Sequence, residues 1–174
     1  RCGLSTGQVD RLTNNMTTKS WAAYSADGKS LYYLGEDSGV TRILRLDLDE
    51  MGMPSGSPVT IGQNLGALSS FWLGKDAIFF TSNRDKCIFN LYRMSLEGRG
   101  LTQLTNTFAD VLSARPAPDE KTFYAVLYQH AQESLYSMDA EKMEKNGNPP
   151  LNQDFLADHF EAASKIIPAP TVQA

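Results

Sequence analysis

The sequence predicts an all-β fold made of about three four-stranded antiparallel sheets, because one pattern occurs three times along the chain. Each copy begins with a tight polar turn that leads into an aromatic strand, at residues 24–34, 71–80 and 115–126. A second strand with alternating side chains follows each time, at residues 42–48, 90–96 and 134–140. Aromatic and β-branched residues in this arrangement suit a half-buried pleated sheet.

The spacing of the copies predicts the architecture. Leu44, Leu91 and Leu135 taken as equivalent points lie 47 and 44 residues apart. Four-stranded propeller blades repeat every 40–50 residues or so. A short strand closes one unit and introduces the next, at residues 11–13, 59–61 and 103–105. We therefore expect β-propeller blades.

The connections between the strands support antiparallel meanders. Residues 26–29, 36–39, 82–85 and 118–121 are rich in Asp, Asn, Ser, Gly and Pro. These residues stabilise tight turns or tolerate a positive φ. Each connection is short enough to join neighbouring strands of one sheet.

Four segments carry a resemblance to a known family. Residues 24–29, 79–85, 90–94 and 101–105 resemble the blade signature of TolB-type propellers, which form a WD-like family of repeats. These segments also resemble the blades of the propellers of tricorn-like proteases and, more distantly, those of prolyl oligopeptidases. The resemblance covers residues 9–143. The usual Ser-Pro-Asp-Gly turn is Ser-Ala-Asp-Gly at residues 25–28, and residues 72–75 and 117–120 depart from it further.

Three copies are too few to close a ring, because propellers usually have four to eight blades. We expect residues 1–145 to be part of a six- to eight-bladed ring, with the remaining blades in the same chain or in another chain. Residues 146–174 are expected to form a linker, a short helix over residues 153–167 that Asn152 caps, and a flexible tail.

Composition argues against several classes of function. The net charge is −4, and no dense cluster of Lys and Arg is present, so we expect no nucleic-acid partner. No apolar run reaches the roughly 18 residues of a membrane helix, so a soluble chain without membrane insertion is expected. Cys2 and Cys87 have no metal-type spacing, and His130 and His159 lack neighbours that would complete a site. We therefore expect no metal and no cofactor.

The chain also lacks the motifs of common catalytic sites. It contains no Gly-x-Ser-x-Gly elbow, no phosphate-binding glycine loop and no His-Glu-x-x-His helix. No catalytic residue is predicted. Partners of propellers usually meet exposed loops, so the candidate partner-binding residues are those at two loop tips: Asn83, Arg84, Asp85, Lys86, Tyr128, Gln129 and His130.

Two functional hypotheses follow. The first is a noncatalytic propeller segment that acts as a protein-protein interaction scaffold in a larger protein or assembly. The second is the propeller domain of a tricorn-like or prolyl-oligopeptidase-like serine peptidase, which gates or guides peptide substrates. The resemblance implies a periplasmic location in the TolB-like case and a cytoplasmic one in the tricorn-like case. It leaves open whether the full protein is an enzyme.

Overall fold

The computed structural model describes residues 7, 9–15, 17–85, 87–118, 121–129, 131–139 and 142. Within them the strands are antiparallel and form three sheets. The strands are β1 (Thr18–Tyr24), β2 (Ser30–Asp37), β3 (Val40–Asp47), β4 (Val59–Ile61), β5 (Leu68–Leu73), β6 (Ala77–Ser82), β7 (Asn90–Ser95), β8 (Thr102–Gln103), β9 (Asp110–Pro116), β10 (Thr122–Gln129) and β11 (Gln132–Asp139). The helix predicted over residues 153–167 lies outside the described residues.

The three sheets follow the three predicted copies. Sheet 1 has the order β1-β2-β3-β4, and sheet 2 has the order β5-β6-β7-β8. Sheet 3 has β9, β10 and β11 within the described residues, where the sequence predicts four strands. The chain divides into two compact units, of which Arg1–Gln63 contains sheet 1 and Asn64–Ala174 contains sheets 2 and 3.

The same turn hydrogen bond opens the second strand of each sheet. A backbone N–H before the turn donates to the carbonyl of the first residue of β2, β6 or β10. The pairs are Ser25 with Ser30 at 2.9 Å, Gly74 with Ala77 at 2.8 Å, and Ala117 with Thr122 at 2.7 Å. In sheet 1 the turn is reinforced by Asp27, whose carboxylate accepts hydrogen bonds from the Ser25 hydroxyl and the Lys29 amide.

This common start point corrects the spacing of the repeat. The fifth residues of β2, β6 and β10 are Leu34, Thr81 and Val126, and their cross-strand partners are Ile43, Leu91 and Leu135. The equivalent of Leu91 is therefore Ile43 and not Leu44. The first spacing becomes 48 residues, from 43 to 91, and the second remains 44. The error arose because Ile43 and Leu44 are both apolar and adjacent.

The first strand of every sheet contains a β-bulge, which the sequence analysis did not predict. The ladder slips between Ser20 and Ala23 in β1 and between Leu68 and Ser70 in β5. In β9 it slips at Leu112, which lies between the paired residues Val111 and Ser113. A bulge leaves backbone groups outside the ladder and bends the strand. In unit 2 the bulged residues are joined, because the Ser69 hydroxyl donates to the Leu112 carbonyl at 2.8 Å.

Each unit has its own apolar core. In unit 1, Tyr33, Leu46 and Leu48 are buried, and Leu12, Leu31 and Leu44 pack against them. In unit 2 one cluster joins sheets 2 and 3, with the Phe79 and Phe123 rings 5.1 Å apart at its centre. Its buried members are Ala77, Phe79, Leu91, Leu104, Ala109, Val111, Ala114, Phe123, Ala125, Leu127 and Met138. The Arg115 guanidinium lies 4.8 Å from the Trp72 ring centre at the margin of this cluster.

Candidate functional site

The loop between β6 and β7, residues 83–89, contains the first predicted partner-binding tip. It begins after Ser82, a fully buried residue whose hydroxyl donates to the Leu65 carbonyl. The same hydroxyl accepts a hydrogen bond from the Arg84 amide at 3.0 Å. One buried serine therefore connects the start of the loop to the segment that precedes β5.

That preceding segment holds the loop in place. Asn83 makes two hydrogen bonds with Ala67. Its side-chain oxygen accepts from the Ala67 backbone N–H at 3.0 Å, and its backbone N–H donates to the Ala67 carbonyl at 3.3 Å. Gly66 has φ +72°, and a Cβ atom there would lie 2.8 Å from Arg84 Cα. Only glycine allows this close approach of two backbones. Asn83 thus acts as a clamp within the structure.

Arg84 and Asp85 form an ion pair at the loop tip, with 3.2 Å between Arg84 Nε and Asp85 Oδ1. The other carboxylate oxygen of Asp85 accepts a hydrogen bond from the Tyr92 hydroxyl at 2.8 Å. Burial raises the pKa of Tyr92 well above its ordinary value, and the hydrogen bond to Asp85 raises it further. The Tyr92 ring stacks on Phe80, with centroids 5.7 Å apart. The Asp85 carboxylate is therefore oriented by the Tyr92 hydroxyl, whose ring is held in place by Phe80.

The second predicted tip lies at the same end of unit 2. Tyr128, near the end of β10, is half-exposed and pairs in register with Asp110, the first residue of β9. The Asp110 carboxylate accepts a hydrogen bond from the Phe89 amide at 2.8 Å, and Val111 donates to the Phe89 carbonyl at 2.8 Å. The end of the β6–β7 loop is thus attached to the strand beside Tyr128.

The structure describes most of the predicted residues but not all of them. Asn83, Arg84, Asp85, Tyr128 and Gln129 are described, whereas Lys86 and His130 lie outside the described residues. Gln129 pairs with Gln132 across the β10–β11 turn, where Ala131 has φ +61°.

Sequence reasoning missed three contributors to this end of the unit: Tyr92, Phe108 and Asp110. Phe108 is half-exposed and precedes Asp110 by two residues. An exposed aromatic residue in a polar connection was a signal that could have been used. The roles of Tyr92 and Asp110 depend on contacts 7 and 21 residues away in the chain, so no local pattern reveals them. We call Arg84, Asp85, Phe108 and Tyr128 the loop end of unit 2.

The loop end brings charged and aromatic side chains to one end of unit 2. It presents one guanidinium, one carboxylate and two aromatic rings. Across the described part of the chain, no three metal-ligating side chains come together, and no helix is long and apolar enough to span a membrane. Arginine and aromatic side chains are enriched at the energetically important positions of protein interfaces.

Comparison with known proteins gives similarity at the level of structure. No protein-family model and no curated protein matches the sequence. A structure assigned to TolB of Agrobacterium tumefaciens matches with 24% identity and a TM-score of 0.64, over 78% of this chain and 50% of that one. TolB from Acinetobacter baumannii matches with 19% identity and a TM-score of 0.66, over 80% of this chain and 34% of that one.

A peptidase structure also matches. Tricorn protease has 16% identity and a TM-score of 0.55, over 82% of this chain and 18% of that one. At such identities the similarity shows the fold. The chain spans half or less of each of these proteins. The similarity confirms the fold that the repeat predicted: the chain is a set of β-propeller blades, similar to those of TolB and tricorn protease.

Proposed function

We propose that the chain is a noncatalytic propeller segment that binds a protein or peptide partner through the loop end of unit 2, within a larger protein or assembly. The remaining blades would come from the same polypeptide or from another chain. No nucleic-acid partner is proposed, since the net charge is −4. The observation that carries the proposal is the fixed geometry of the partly exposed Arg84–Asp85 pair, at the end of unit 2 that also carries the half-exposed rings of Phe108 and Tyr128.

Fixed geometry favours binding because little conformational entropy is lost when the partner arrives. The backbone of residues 83–85 is attached to residues 65–67 by hydrogen bonds and by the close approach of Gly66. Asp85 is oriented by Tyr92, and Phe89 by Asp110. Phe108 and Tyr128 would provide apolar contact area. Arg84 and Asp85 would set the orientation of the partner, since exposed charges contribute more to specificity than to affinity.

Site-specific photo-crosslinking tests the proposal. A photo-reactive amino acid replaces Arg84 in the full-length protein in its native cell, and the matched control replaces Lys29, an exposed residue of the β1–β2 turn in unit 1. We expect one defined protein to be captured from position 84 and not from position 29. Replacing Phe108 and Tyr128 together with alanine should reduce that product at least about tenfold, as expected for interface anchors. Equal products from both positions would contradict the proposal.

The similarity to tricorn protease favours a second candidate, a propeller domain that gates or guides peptides toward a serine peptidase domain elsewhere in the protein. A serine-reactive fluorophosphonate probe applied to the native full-length polypeptide separates the candidates. The scaffold proposal predicts no labelling. Labelling that survives substitution of Phe108 and Tyr128 but disappears when the catalytic domain is removed would favour the peptidase instead.

A further inference from the structure

Arg84 keeps most of its hydrogen-bond donors without a protein acceptor. Within the described part of the chain, its guanidinium makes one hydrogen bond, from Nε to Asp85 Oδ1 at 3.2 Å. The N–H groups on its two terminal nitrogens have no acceptor there. The side chain is 26% exposed, so the guanidinium is partly withdrawn from water. A hydrogen bond from a partner is stronger in such a place than at a fully exposed site.

The Asp85 carboxylate, in contrast, is engaged within the chain through both of its oxygens. One oxygen accepts the hydrogen bond from Arg84 Nε, and the other accepts from the Tyr92 hydroxyl at 2.8 Å. The loop end therefore offers a partner the donors of Arg84 more readily than the acceptors of Asp85.

Backbone N–H groups of the same loop are also engaged. The N–H groups of Asn83, Arg84 and Phe89 donate to the Ala67 carbonyl, the Ser82 hydroxyl and the Asp110 carboxylate, respectively. The C-terminal carboxylate of a peptide is commonly captured by several backbone N–H groups arranged as a nest. Because these three groups are bonded inside the chain, a side-chain carboxylate that meets the guanidinium alone fits the loop better than a chain terminus does.

Charge limits the kind of partner further. Arg84 and Lys86 against Asp85 give residues 83–89 a net charge of +1, whereas the whole chain carries −4. One carboxylate matches this loop. A dianionic phosphate group would be repelled by Asp85, and a strongly acidic segment would be repelled by the rest of the chain. The half-exposed aromatic rings at the same end of unit 2 suit apolar residues of a partner.

We propose that the loop end of unit 2 recognises a partner segment that carries one aspartate or glutamate among apolar residues, and that Arg84 binds this carboxylate through its two terminal nitrogens. The inference rests on the proposed function and names the chemistry of the partner. Asp85 is a positioning residue, because it holds the guanidinium by Nε and leaves both terminal nitrogens for a two-point contact.

Peptide selection tests the proposal. The full-length protein is incubated with immobilised libraries of short random peptides, one with amidated C termini and one with free C termini. We expect one aspartate or glutamate, flanked by apolar residues, to be enriched in both libraries. Arg84→Gln should remove this preference, and Arg84→Glu should replace it with a preference for lysine or arginine. Arg42→Gln is the matched control, because Arg42 is an exposed arginine of β3 in unit 1.

The affinity of a selected peptide measures the contact itself. Replacing its aspartate with asparagine, or its glutamate with glutamine, should weaken binding to the wild type about fivefold, as for a partly exposed charge-assisted contact. The same replacement should leave binding to Arg84→Gln unchanged. The loss is smaller than that expected from the two aromatic rings, so a photo-reactive residue at position 84 still captures the partner. Circular dichroism of each variant excludes unfolding as the cause of lost binding.

The two proposals fail in different ways. Peptides that need Phe108 and Tyr128 for binding but show no acidic preference overturn the carboxylate assignment and leave the proposed function standing. An acidic preference that survives Arg84→Gln also overturns the assignment, as does enrichment confined to free C termini. A selection in which no peptide depends on Phe108 and Tyr128 contradicts both proposals.

Discussion

The β2–β3 turn of sheet 1 and the β6–β7 loop of sheet 2 occupy the same place in the repeat but differ in build. Asp37 and Val40 pair across a two-residue turn whose central residues, Ser38 and Gly39, both have positive φ. Two-residue turns of this kind match the twist of a hairpin. Ser82 and Asn90 pair across a loop of seven residues, 83–89. The short turn needs only its own backbone, whereas the long loop is held by residues from three other segments. Repeated strands thus leave the connections free to differ, and the long connection is the one that contains the proposed binding residues Arg84 and Asp85.

Among substitutions that test this comparison, the largest loss of stability is expected at Asn90, the residue that follows the long loop. Its side-chain oxygen accepts hydrogen bonds from the Thr105 hydroxyl at 3.0 Å and from the Thr107 amide at 2.9 Å. Asn90→Ala leaves these buried donors unsatisfied, so unfolding free energy should fall by about 3 kcal/mol. Urea denaturation measures it. Arg42→Ala at the equivalent, exposed position of sheet 1 should cost less than about 0.5 kcal/mol. Equal losses would mean that the Asn90 network contributes nothing.

The next largest effect is expected where the loop meets the segment before β5. Gly66→Ala combines a positive φ with a Cβ atom 2.8 Å from Arg84 Cα. We expect a loss of about 2 kcal/mol in unfolding free energy, of which strain at positive φ accounts for about 1 kcal/mol.

Gly39→Ala is the matched control, because Gly39 has φ +78° and nothing within 4 Å of its Cβ position. It should lose about 1 kcal/mol, from backbone strain alone. Thermal or urea unfolding of both variants gives the comparison. A Gly66 variant no worse than the Gly39 variant would show that the loop can move away from residues 65–67.

A smaller effect is expected at Tyr92, and it depends on pH. Tyr92→Phe removes the hydrogen bond to Asp85 and should cost about 1 kcal/mol near neutral pH. Burial and Asp85 raise the pKa of Tyr92 above its ordinary value of 10.0. A folded state that holds the proton more tightly is fully stabilised below pH 10.0 and loses that stabilisation as the pH rises further.

The wild type should therefore lose more stability than Tyr92→Phe when the pH is raised above 10.0. Denaturation series for both proteins at rising pH measure this difference in stability. Burial also raises the pKa of Tyr33, but Tyr33 is present in both proteins, so its contribution cancels in the comparison. Parallel pH profiles would refute the assignment to Tyr92.

The smallest effect is expected in the tight turns of sheet 1. The Ser25 hydroxyl, and after it the Lys29 amide, lower the pKa of Asp27 below its ordinary value of 3.8. The stabilisation from Asp27 is present above pH 3.8 and is lost as the pH falls through the lowered pKa. Ser25→Ala should move the Asp27 pKa back up. An NMR titration measures it, and an unchanged pKa would show that the backbone amide alone is responsible.

The strands and their order could be predicted from the sequence because alternation and turn residues are local signals. The aromatic strand and the Asp-Gly turn of residues 24–34 give sheet 1 in this way. The blade spacing was also predicted, except that Leu44 was chosen where Ile43 has the equivalent partner. Neighbouring apolar residues cannot be assigned to faces until the register is known.

The candidate site could be predicted only in part. Arg84, Asp85 and Tyr128 were identified because loop tips show in the sequence as polar turns. Their attachment through Gly66, Tyr92 and Asp110 could not be found, because each contact joins residues that are distant in the chain. Asn83 was predicted as a partner-binding residue, yet both of its described hydrogen bonds hold the loop to Ala67. Exposure of a turn residue and availability of its side chain are different properties.

The bulges in β5 and β9 have a consequence for anyone who would lengthen or shorten this array by engineering. The hydroxyl of Ser69 reaches the carbonyl that the bulge at Leu112 releases from its own ladder. A graft that copies strand lengths and core residues but regularises these first strands would remove both the donor position and the free acceptor. A grafted blade should therefore keep the bulge in its first strand, together with a hydroxyl-bearing residue at the position of Ser69.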